Sequence, residues 1–526
     1  MEAADVVVLW GSNARETHPI FFHHVLRAVR RGARLIVVDP RRSQSAAFAD
    51  LWLPLDVGSD IALANAVAHE IIAAGLVHED FVARATVGYA AFAESVAEWT
   101  PERAESITGV PAAAIRSLAH QYARAEHAQL CWTLGITEHH NAVDNVLALI
   151  NLALLTGHVG RWGSGLSPLR GQNNVQGGGD MGALPNRLPG FEDLTDPRAR
   201  ARVEGVWGAP VPAEPGMHLT AMFEAMADRT LRAVYVLGEN PAQSEADSQR
   251  ARHLLGGLDH LVVQDLFLTR TAELAHVVLP ATAAWCEADG TVTSSERRVQ
   301  RVRAAVRPPE GARDDLAILA AVSARLGHDW GTPDAEGVWD ELRRVSPLHA
   351  GMSYARLDAH GGLQWPCPSE TEVGPPFLHG RLWADDPAAR GMPAAFSGVE
   401  WVPPVDELTP EFPIRLTTGR RLDSYNTGVQ SRRLRSPLRF GETVDLSPDD
   451  VARLGLAEGQ RVRITSRRGS VVAPVRIDPG LRAGLAFMTP HFPDDVDTNT
   501  LTIEASDPRS GTSAFKASAI RVEPLG

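Results

Sequence analysis

The chain has 526 residues, of which 44% are hydrophobic and 22% charged, a composition typical of a soluble globular protein with three or four domains. Its 51 basic and 64 acidic residues give a formal net charge of −13, which argues against non-specific binding to nucleic acid. The longest apolar run, residues 146–155, is too short to cross a bilayer, so we expect no membrane insertion. Nothing at the N-terminus resembles a signal peptide, which makes the cytoplasm the default compartment.

The first 41 residues predict a strand, a loop, a helix and a second strand. Residues 5–10 form an apolar run that ends in the polar loop 11–13, a helical pattern covers 17–32, and residues 34–38 form a second buried strand followed by DPR at 39–41. Ligands of parallel sheets bind beyond the carboxyl ends of the strands, where both polar segments fall. The GSN loop lacks the dinucleotide-binding glycine pattern, and an aspartate after a strand is often a turn former. Nucleotide binding and a plain turn therefore stay equally open at this point.

The next segment predicts more helices around the same sheet. LWLPL precedes residues 58–60, which are placed to cap an apolar helix that ends near Gly75. Asp60 suits a helix cap as well as it suits a ligand. The remaining elements predicted here are a helix over 111–124, a strand over 128–135 and a helix over 141–156.

Neither the histidines nor the cysteines have the spacing of a metal site. His139 and His140 are adjacent and would point to opposite sides of a helix, which favours structural roles over joint ligation. Cys131, Cys286 and Cys367 lie more than 80 residues apart and form no CxxC pair. We therefore expect no iron-sulfur cluster in this chain.

The stretch over residues 166–186, LSPLRGQNNVQGGGDMGALPN, is the most informative part of the sequence. It combines one arginine, a cluster of amides and a run of glycines with few apolar side chains. Such a composition suits backbone that wraps closely around a polar ligand.

A second unit repeats the pattern of the first. A strand over 231–238 leads into a polar loop, a helix runs to Leu255, a strand over 260–264 ends in Asp265, and a third strand covers 276–280. Strand, loop, helix, strand and acidic residue thus occur twice, which suggests two similar nucleotide-like ligands.

The pattern changes after about residue 285. A helix is predicted over 314–326, and the Pro- and Trp-rich stretch at 365–404 is typical of a connector. From Phe412 onward, short strands alternate with turns, including a hairpin at Arg468-Gly469. A compact β-barrel is the natural interpretation.

These residues carry a resemblance to a known family. The chain resembles the catalytic subunit of molybdopterin-dependent formate dehydrogenases, which use a molybdenum or tungsten ion held by two molybdopterin guanine dinucleotides (MGD). The resemblance runs essentially end to end, and the block over 157–186 is its most specific part. The matching segments are GSNARETHP, VVDPR, GSDIALANA, TPERAESITGV, LALLTGHVGRWGSGLSPLRGQNNVQGGGDMGALP, GENPAQS, QDLFLTRTAELAHVVLP, ERRVQR, and the barrel from LTTGR onward.

The resemblance implies an α/β fold with two doubly wound parallel-sheet domains that bind MGD, followed by a double-psi-like β-barrel. It places the first MGD domain at 1–172 and part of the second at 173–284. The connector, with a remnant of the domain that packs on the family's N-terminal region, covers 285–404, and the barrel that binds the dinucleotide covers 405–526.

The resemblance also implies roles for single residues. Arg170 matches the cation that orients formate beside the metal, a role that suits a planar guanidinium, although a structural salt bridge is the alternative. Gln172 and Asn173 would contact a pterin or fix Arg170. The residues implied for the first dinucleotide are Gly11, Ser12, Asn13, Asp39, Arg41, Gly58 and Asp60. Those implied for the second are Gly238, Glu239, Asn240, Ser244, Asp265 and Thr269. The barrel positions implied to close over the pterins are Thr418, Gly419, Arg420, His491, Asn499 and Lys516.

One departure from the family pattern affects the expected activity. Family members carry, ahead of the DVVVLWGSN strand, a region with an iron-sulfur cluster and the metal-ligating Cys or selenocysteine followed by a histidine, and this chain starts without it. There are three explanations. One is a separate polypeptide that supplies this half, and another is a reading frame downstream of a selenocysteine codon that was read as a stop. The third is a truncated protein without catalysis. The first two are preferred, so the isolated chain is expected to be inactive or incomplete.

The expected reaction of the completed enzyme is oxidation of formate to carbon dioxide. Arg170 would hold the carboxylate while electrons leave through the pterin to an iron-sulfur chain, with NAD-reducing iron-sulfur and flavin subunits as expected partners. The alternatives are a related oxidoreductase, such as an assimilatory nitrate reductase, and a non-catalytic pterin-binding or assembly subunit.

Overall fold

The computed structural model describes residues 1–422, 424–427 and 441–525. The chain divides into two compact units. The first unit comprises Met1–Leu169, Gln243–Gln249 and the chain from Phe377 onward, and the second comprises Arg170–Ala242 and Arg250–Pro376. The four domain boundaries expected from the sequence stay a prediction.

The first unit begins with a five-stranded sheet whose neighbouring strands are all parallel. The strands of this region are β1 (Val6–Trp10), β2 (Arg34–Val38), β3 (Leu51–Leu53), β4 (Thr86–Val87), β5 (Ala128–Trp132) and β6 (Gly165–Pro168), and all but β4 belong to the sheet. Its order is β3-β2-β1-β5-β6, so the direction of strand addition reverses between β1 and β5. Such a reversal is the usual ligand position in an open α/β sheet.

Helices cover both faces of this sheet. They are α1 (Ala14–Thr17), α2 (Pro19–Arg30), α3 (Asp60–Ala73), α4 (Glu79–Ala85), α5 (Tyr89–Ser95), α6 (Pro101–Thr108), α7 (Ala112–Arg124), α8 (Leu134–Thr137) and α9 (Ala142–Thr156). In β1, Val6, Val8 and Trp10 pack into one hydrophobic core, whereas Val7 and Leu9 pack into another. Both faces of the strand are therefore buried, which explains its continuous apolar sequence.

The chain from Arg170 to Pro376 contains a second, smaller parallel sheet. Its elements, with those of the short return to the first unit, are α10 (Val175–Asp180), β7 (Arg187–Leu188), β8 (Glu192–Asp193), α11 (Pro197–Trp207), α12 (Leu219–Ala227), β9 (Ala233–Leu237), α13 (Pro241–Ser244), α14 (Ser248–Gly256), β10 (His260–Asp265), α15 (Arg270–Leu274), β11 (Val277–Pro280), β12 (Gly290–Thr293), β13 (Arg298–Val302), α16 (Asp315–Arg325), α17 (Ala335–Val345), α18 (Tyr354–His360) and β14 (Leu363–Gln364). The sheet has the order β11-β10-β9, and β12, β13 and β14 form an antiparallel sheet. Within the described residues, the strands of this parallel sheet are added in one direction, without the reversal that the first sheet shows.

The C-terminal region of the first unit is a closed barrel. Its elements, after α19 (Pro387–Arg390) and β15 (Ala394–Ala395), are β16 (Ile414–Thr418), β17 (Val444–Leu446), α20 (Pro448–Arg453), β18 (Arg461–Thr465), β19 (Ser470–Ile477), β20 (Leu485–Met488) and β21 (Ser518–Pro524). The barrel order is β16-β20-β17-β19-β18-β21, with two parallel pairs, β16 with β20 and β17 with β19. The expected α/β fold with a C-terminal β-barrel is confirmed.

Several local expectations are refined by the structure. The predicted strand over 128–135 ends at Trp132. The stretch over residues 166–186, expected to wrap around a ligand, begins within the edge strand β6. Ser59, not Asp60, is the N-cap residue of α3, and its hydroxyl donates to the Asp56 carbonyl at 2.6 Å. Within the described ranges, no helix is long and apolar enough to cross a bilayer.

The backbones that follow β1 and β5 meet at the reversal of the first sheet. The Gly135 amide donates to the Gly11 carbonyl at 3.1 Å, and the Thr133 hydroxyl donates to the same oxygen at 2.7 Å. A Cβ atom on Gly135 would lie 2.5 Å from the Gly11 oxygen. Only glycine therefore permits this approach, which fixes the loop after β1.

We expect Gly135→Ala to lower the free energy of unfolding by about 1–3 kcal/mol, because the added methyl group would push the two loops apart. Urea unfolding followed by circular dichroism measures this change. Gly165→Ala, in β6, is the matched control, since a Cβ atom at Gly165 would meet only the Gln129 amide, with Oε1 at 3.7 Å and Nε2 at 3.9 Å. Equal stability of the two variants would contradict the proposed constraint.

Candidate cofactor site

The carboxyl ends of β1 and β2 form the polar edge of the first sheet. Ser12 follows β1 and is fully buried, and within the described ranges its Oγ has no hydrogen-bond partner. Leaving a buried hydroxyl without a partner costs about 1–3 kcal/mol. A ligand oxygen beside this hydroxyl would remove that cost, so the residue fits the predicted binding role.

Asn13, the next predicted ligand, connects two loops of the protein. Its Oδ1 accepts from the Ser45 amide at 3.2 Å and from the Ser45 hydroxyl at 3.0 Å. Its Nδ2 donates to Glu16 Oε2 at 2.6 Å. Asn13 therefore holds the loop after β2 against the end of β1.

Two buried carboxylates lie behind this edge. Asp39 is 8% exposed, and burial raises the pKa of Asp39 to about 6 although Arg41 beside it acts in the opposite direction. Asp60 is 6% exposed and accepts from Trp10 Nε1 at 2.9 Å, and burial raises the pKa of Asp60 to about 7. Nearby positive charges and hydrogen-bond donors do not offset the burial of either carboxylate. A ligand that offers N–H donors would therefore stabilise their ionised forms.

The barrel contacts the α/β region at this edge. The Arg41 guanidinium carbon lies 3.4 Å from the centroid of the Phe487 ring, which belongs to β20. A Cβ atom on Gly58 would lie 2.6 Å from Pro404 Cγ. Gly58, predicted as a ligand contact, thus also serves the close approach of two chain segments.

Lys516 links the barrel to the loop after β5. Its Nζ lies 2.6 Å from Glu138 Oε2 and donates to the Thr418 carbonyl at 3.1 Å. The Thr418 hydroxyl donates to the Phe515 carbonyl at 3.0 Å. The ammonium group is mostly buried, so Glu138 compensates much of its charge.

The other predicted barrel residues are also held by neighbours within the first unit. His491 is buried, and its Nε2 accepts from the Arg421 amide at 3.1 Å. Asn499 Nδ2 donates to the carbonyls of Gln243 and Ser244 at 3.0 and 3.2 Å. The structure therefore brings together two residues, Ser244 and Asn499, that the sequence assigned to separate parts of the site.

Arg420 and Gly419 follow β16 at the same end of the barrel. The Arg420 guanidinium lies 4.6 Å from the Tyr425 ring centroid and bonds to Asn426. A Cβ atom on Gly419 would lie 2.8 Å from the Phe487 ring. This glycine therefore makes room for the ring beneath Arg41.

The two adjacent histidines after β5 both have lowered pKa values. His139 is buried, its Nε2 lies 3.0 Å from the Gly135 carbonyl, and burial lowers the pKa of His139 to about 4. Burial also lowers the pKa of His140. Over residues 1–422, 424–427 and 441–525, no group of three or more His, Cys, Asp or Glu side chains has a metal-binding arrangement. Cys131 is fully buried in β5, where burial raises its pKa to about 12.

The second predicted site lies at the ends of β9 and β10. Gly238 has φ +64°, its amide donates to the Gln264 carbonyl at 2.9 Å, and no atom lies within 4 Å of where a Cβ would stand. Burial raises the pKa of Asp265, and the nearby charge of Glu239 acts in the same direction. An open backbone loop beside an acidic pair fits a ligand with N–H donors.

Asn240 and Thr269 of this site have structural partners of their own. Asn240 Oδ1 accepts from the Thr271 hydroxyl at 2.9 Å and from the Thr271 amide at 3.2 Å. Thr269 caps α15 by accepting from the Ala272 amide at 3.2 Å. The two residues thus fix the loops on which the acidic groups stand.

Arg170 belongs to the second unit and follows β6 after one intervening residue. Its side chain is exposed, and its Nε donates to Gln176 Oε1 at 3.2 Å. Gln172 and Asn173 are exposed in the same segment. Their proposed contacts with a ligand stay predictions.

Three residues with a role at the first site were missed by sequence reasoning. Glu138 pairs with Lys516, Phe487 stacks under Arg41, and Gly135 allows the approach to Gly11. Each acts across more than 100 positions of the chain, so local pattern gave no signal for them. Glu138 lies in the TEHH segment, which begins at the last residue of α8, and nothing in that segment points to Lys516.

Two family models match the chain. The model described as molybdopterin oxidoreductase matches residues 1–325, and the model described as molybdopterin dinucleotide binding domain matches residues 414–519. The first match spans the parallel sheets, and the second lies within the barrel region.

Individual relatives match over almost the whole chain. The F420-dependent formate dehydrogenase 2 subunit alpha of Methanococcus maripaludis is 39% identical over 99% of this chain and 76% of its own length. Formate dehydrogenase H of Escherichia coli is 35% identical over 100% of this chain and 73% of its own length. The assimilatory nitrate reductase catalytic subunit of Bacillus subtilis is 31% identical over 99% and 74%.

Acetylene hydratase from Pelobacter acetylenicus has a similar structure, with a TM-score of 0.75. It is 20% identical, and the match covers 99% of this chain and 78% of that one. This similarity concerns the fold alone.

The raised pKa of Asp60 predicts a pH-dependent stability of the cofactor-free protein. An unfolded aspartate ionises near 3.8, whereas folded Asp60 ionises near 7, so folding is favoured at low pH and loses stability as the pH rises between these values. Relative to Asp60→Asn, the free energy of unfolding of the wild type should fall by up to about 1.4 kcal/mol per pH unit between pH 4 and 7. Above pH 7 the difference between the two proteins should stay constant. Urea unfolding at several pH values measures it. The exposed Asp449→Asn is the control, and parallel curves for wild type and Asp60→Asn would contradict the assignment.

Proposed function

The chain belongs to the molybdopterin oxidoreductase family, and from this we propose that it binds two MGD molecules around one molybdenum or tungsten ion and oxidises formate to carbon dioxide. The family membership confirms the resemblance seen in the sequence. The observation that carries the substrate assignment is the 35–39% identity, over 99–100% of this chain, to proteins named formate dehydrogenases.

The first dinucleotide fits the polar edge of the five-stranded sheet. The buried Ser12 hydroxyl would donate to a phosphate oxygen, and the carboxylates of Asp39 and Asp60 would accept from guanine, whose N1–H and N2–H groups are donors. Arg41 would add a positive charge beside the phosphates. We propose Gly11 and Gly58 as backbone contacts and Asn13 as the residue that keeps the loop in place.

The second dinucleotide fits the ends of β9 and β10. Gly238 would let its backbone approach a phosphate, and Glu239 and Asp265 would accept from the guanine. We propose that Asn240, Ser244 and Thr269 fix this loop. The residues proposed to close over the pterins are Thr418, Gly419, Arg420, His491, Asn499 and Lys516, with Gln172 and Asn173 as pterin contacts.

The substrate is a planar carboxylate, and Arg170 is the residue we propose to bind it. A guanidinium donates two parallel N–H bonds to a carboxylate and remains charged at every relevant pH. Oxidation of formate removes two electrons and one proton and leaves carbon dioxide. When bound, the metal with its pterins supplies the electron acceptor.

Arg170 contributes binding and orientation to this reaction. A fixed cation cancels the negative charge of formate and holds its oxygens, so that the C–H bond points in one direction. Partner subunits that carry the electrons onward are part of the proposal, because two of the relatives are named as alpha subunits.

Nitrate reduction is the second candidate, supported by the 31% identity to an assimilatory nitrate reductase. Nitrate is also a planar anion that a guanidinium can bind with two hydrogen bonds. Formate-dependent reduction of a dye and nitrate-dependent oxidation of a reduced dye, measured on the same preparation, separate the two activities. Metal and pterin without either activity would favour a non-catalytic pterin-binding role.

We expect two guanine nucleotides and one molybdenum or tungsten ion per chain in the purified holoprotein. Acid release of GMP followed by chromatography, and mass spectrometry of the metal, give the ratio. Because two strand-end sites are proposed, Asp265→Asn should reduce GMP content toward one per chain while the fold is retained. A ratio of one GMP to one metal in the wild type would contradict the proposal of two sites.

Replacing Arg170 with lysine should lower kcat/KM for formate by a factor of about 100 or more, because an ammonium group does not reproduce two parallel hydrogen bonds. Dye reduction in a preparation that turns over formate measures the rate, and GMP content should stay unchanged. Arg344→Lys, at an exposed arginine of α17 in the same unit, is the matched control. Undiminished turnover by the Arg170→Lys enzyme would eliminate the proposed role.

A further inference from the structure

A hydrogen-bonded chain connects Arg170 to a buried carboxylate of the second unit. Arg170 Nε donates to Gln176 Oε1 at 3.2 Å, and Gln176 Nε2 donates to Asp180 Oδ1 at 2.8 Å. We propose that Gln176 and Asp180 are positioning residues that hold the Arg170 guanidinium in the orientation in which it binds the substrate carboxylate. This proposal rests on the function proposed above for Arg170.

The helix α10 supplies the spacing that this chain of bonds needs. Gln176 and Asp180 are four residues apart in α10, so their side chains lie one turn apart on the same face of the helix. Arg170 precedes the helix, and the chain turns at Asn174, which has φ +59°. The turn allows the arginine side chain to reach the first turn of the helix.

Chemistry determines which way the Gln176 amide points. An arginine offers only donors and an ionised aspartate only acceptors, so the amide oxygen faces Arg170 and the amide nitrogen faces Asp180. A glutamate at position 176 would repel Asp180, and a lysine or arginine there would repel Arg170. A neutral side chain with one donor end and one acceptor end is therefore what this position requires.

The far end of the chain of bonds is firmly anchored. Asp180 is 1% exposed, and its backbone carbonyl accepts from the Gly190 amide at 2.7 Å. The start of α10 is fixed by Asn174 Oδ1, which accepts from the Thr293 amide at 2.9 Å. A Cβ atom on Gly177 would lie 1.9 Å from Asn174 Oδ1, so glycine is needed for the helix to pack there.

Asp180 and Arg170 also interact through their charges. Burial raises the pKa of Asp180, and the positive charge of Arg170 acts in the opposite direction. The cation and the carboxylate therefore stabilise each other without direct contact, with the Gln176 amide between them.

This arrangement limits how a carboxylate would bind. A guanidinium can hold a carboxylate through Nη1 and Nη2 or through Nε and one Nη. Because the Nε–H group donates to Gln176, a carboxylate held through Nε would have to displace Gln176.

The central test replaces Gln176 with methionine, which has a similar size and helix propensity but cannot bridge the two groups. The Nε–H signal of Arg170 in nitrogen-15 NMR spectra is assigned by its loss in Arg170→Lys. We expect exchange of this hydrogen with solvent to accelerate at least roughly fivefold in Gln176→Met, because its acceptor is gone. Gln121→Met is the matched control, since Gln121 in α7 bonds to Ser117 four residues away at 2.9 Å, outside the site. Gln176→Leu repeats the test if the methionine variant fails to fold.

The role in binding is measured separately. Formate titrated into each protein shifts the Arg170 signal, and the apparent Kd should rise roughly five- to thirtyfold in Gln176→Met, the effect of losing one charge-assisted hydrogen bond. In preparations that turn over formate, KM should rise by the same factor with kcat changed less than roughly twofold, since uniform binding is lost. Asp180→Asn keeps an acceptor for Gln176 and should stay within roughly threefold of the wild type.

The outcomes distinguish this proposal from the proposed function. Unchanged hydrogen exchange in Gln176→Met, or faster exchange with unchanged Kd for formate, would overturn the positioning role. If formate leaves the wild-type Arg170 signal unaffected, the substrate assignment fails, and nitrate as the titrant then decides whether Gln176 positions Arg170 for a planar anion.

Discussion

The approach of two glycines at the reversal of the first sheet is the constraint on which the candidate site depends. Gly11 directly follows β1 and Gly135 lies in α8, which follows β5, and their backbones share a hydrogen bond that any side chain would prevent. This contact joins the segments that follow the two strands. Ser12, the residue after Gly11, is consequently buried at the strand end with its hydroxyl inside the protein. A rigid, desolvated edge of this kind lets a ligand replace water without reorganisation of the protein.

Burial makes the carboxylates of the first site good acceptors for a ligand. Asp39 and Asp60 are held at the edge of a sheet whose two faces are both covered by helices, so the surrounding protein provides little solvation. A carboxylate in that environment gains more from N–H donors than one in water. At the second site, Asp265 is only partly buried, and it stands on a sheet for which three strands are described. The same acidic residue type thus has a weaker electrostatic effect there, because it keeps more of its hydration.

Sequence patterns predicted the elements well and the pairings between them poorly. The apolar runs of β1, β2 and β10 are visible because strands of parallel sheets are buried on both faces. The turn signal at Arg468-Gly469 predicted the β18–β19 hairpin, whose connection covers residues 466–469. Motifs also carried the resemblance to the family, which no periodicity could have supplied. Partners such as Glu138 for Lys516 depend on how distant segments pack, so nothing local to position 516 identifies them. The same limit applies to Asn13, whose amide proved to hold a neighbouring loop.

Several residues implied as ligand contacts have a structural partner already, and this double role has a physical reason. A phosphate or a guanine is bound well only by groups that are in place before it arrives, because ordering a flexible side chain at the moment of binding costs free energy. Asn240 joins the loops of β9 and β10, Asn499 holds the segment of Gln243 and Ser244, and Gln176 ties Arg170 to a buried acid. In each case an amide is used: Asn240 accepts, Asn499 donates and Gln176 does both, and none of them adds charge. If Arg170 binds an anion as proposed, the amide of Gln176 supplies the support that holds its guanidinium in one orientation.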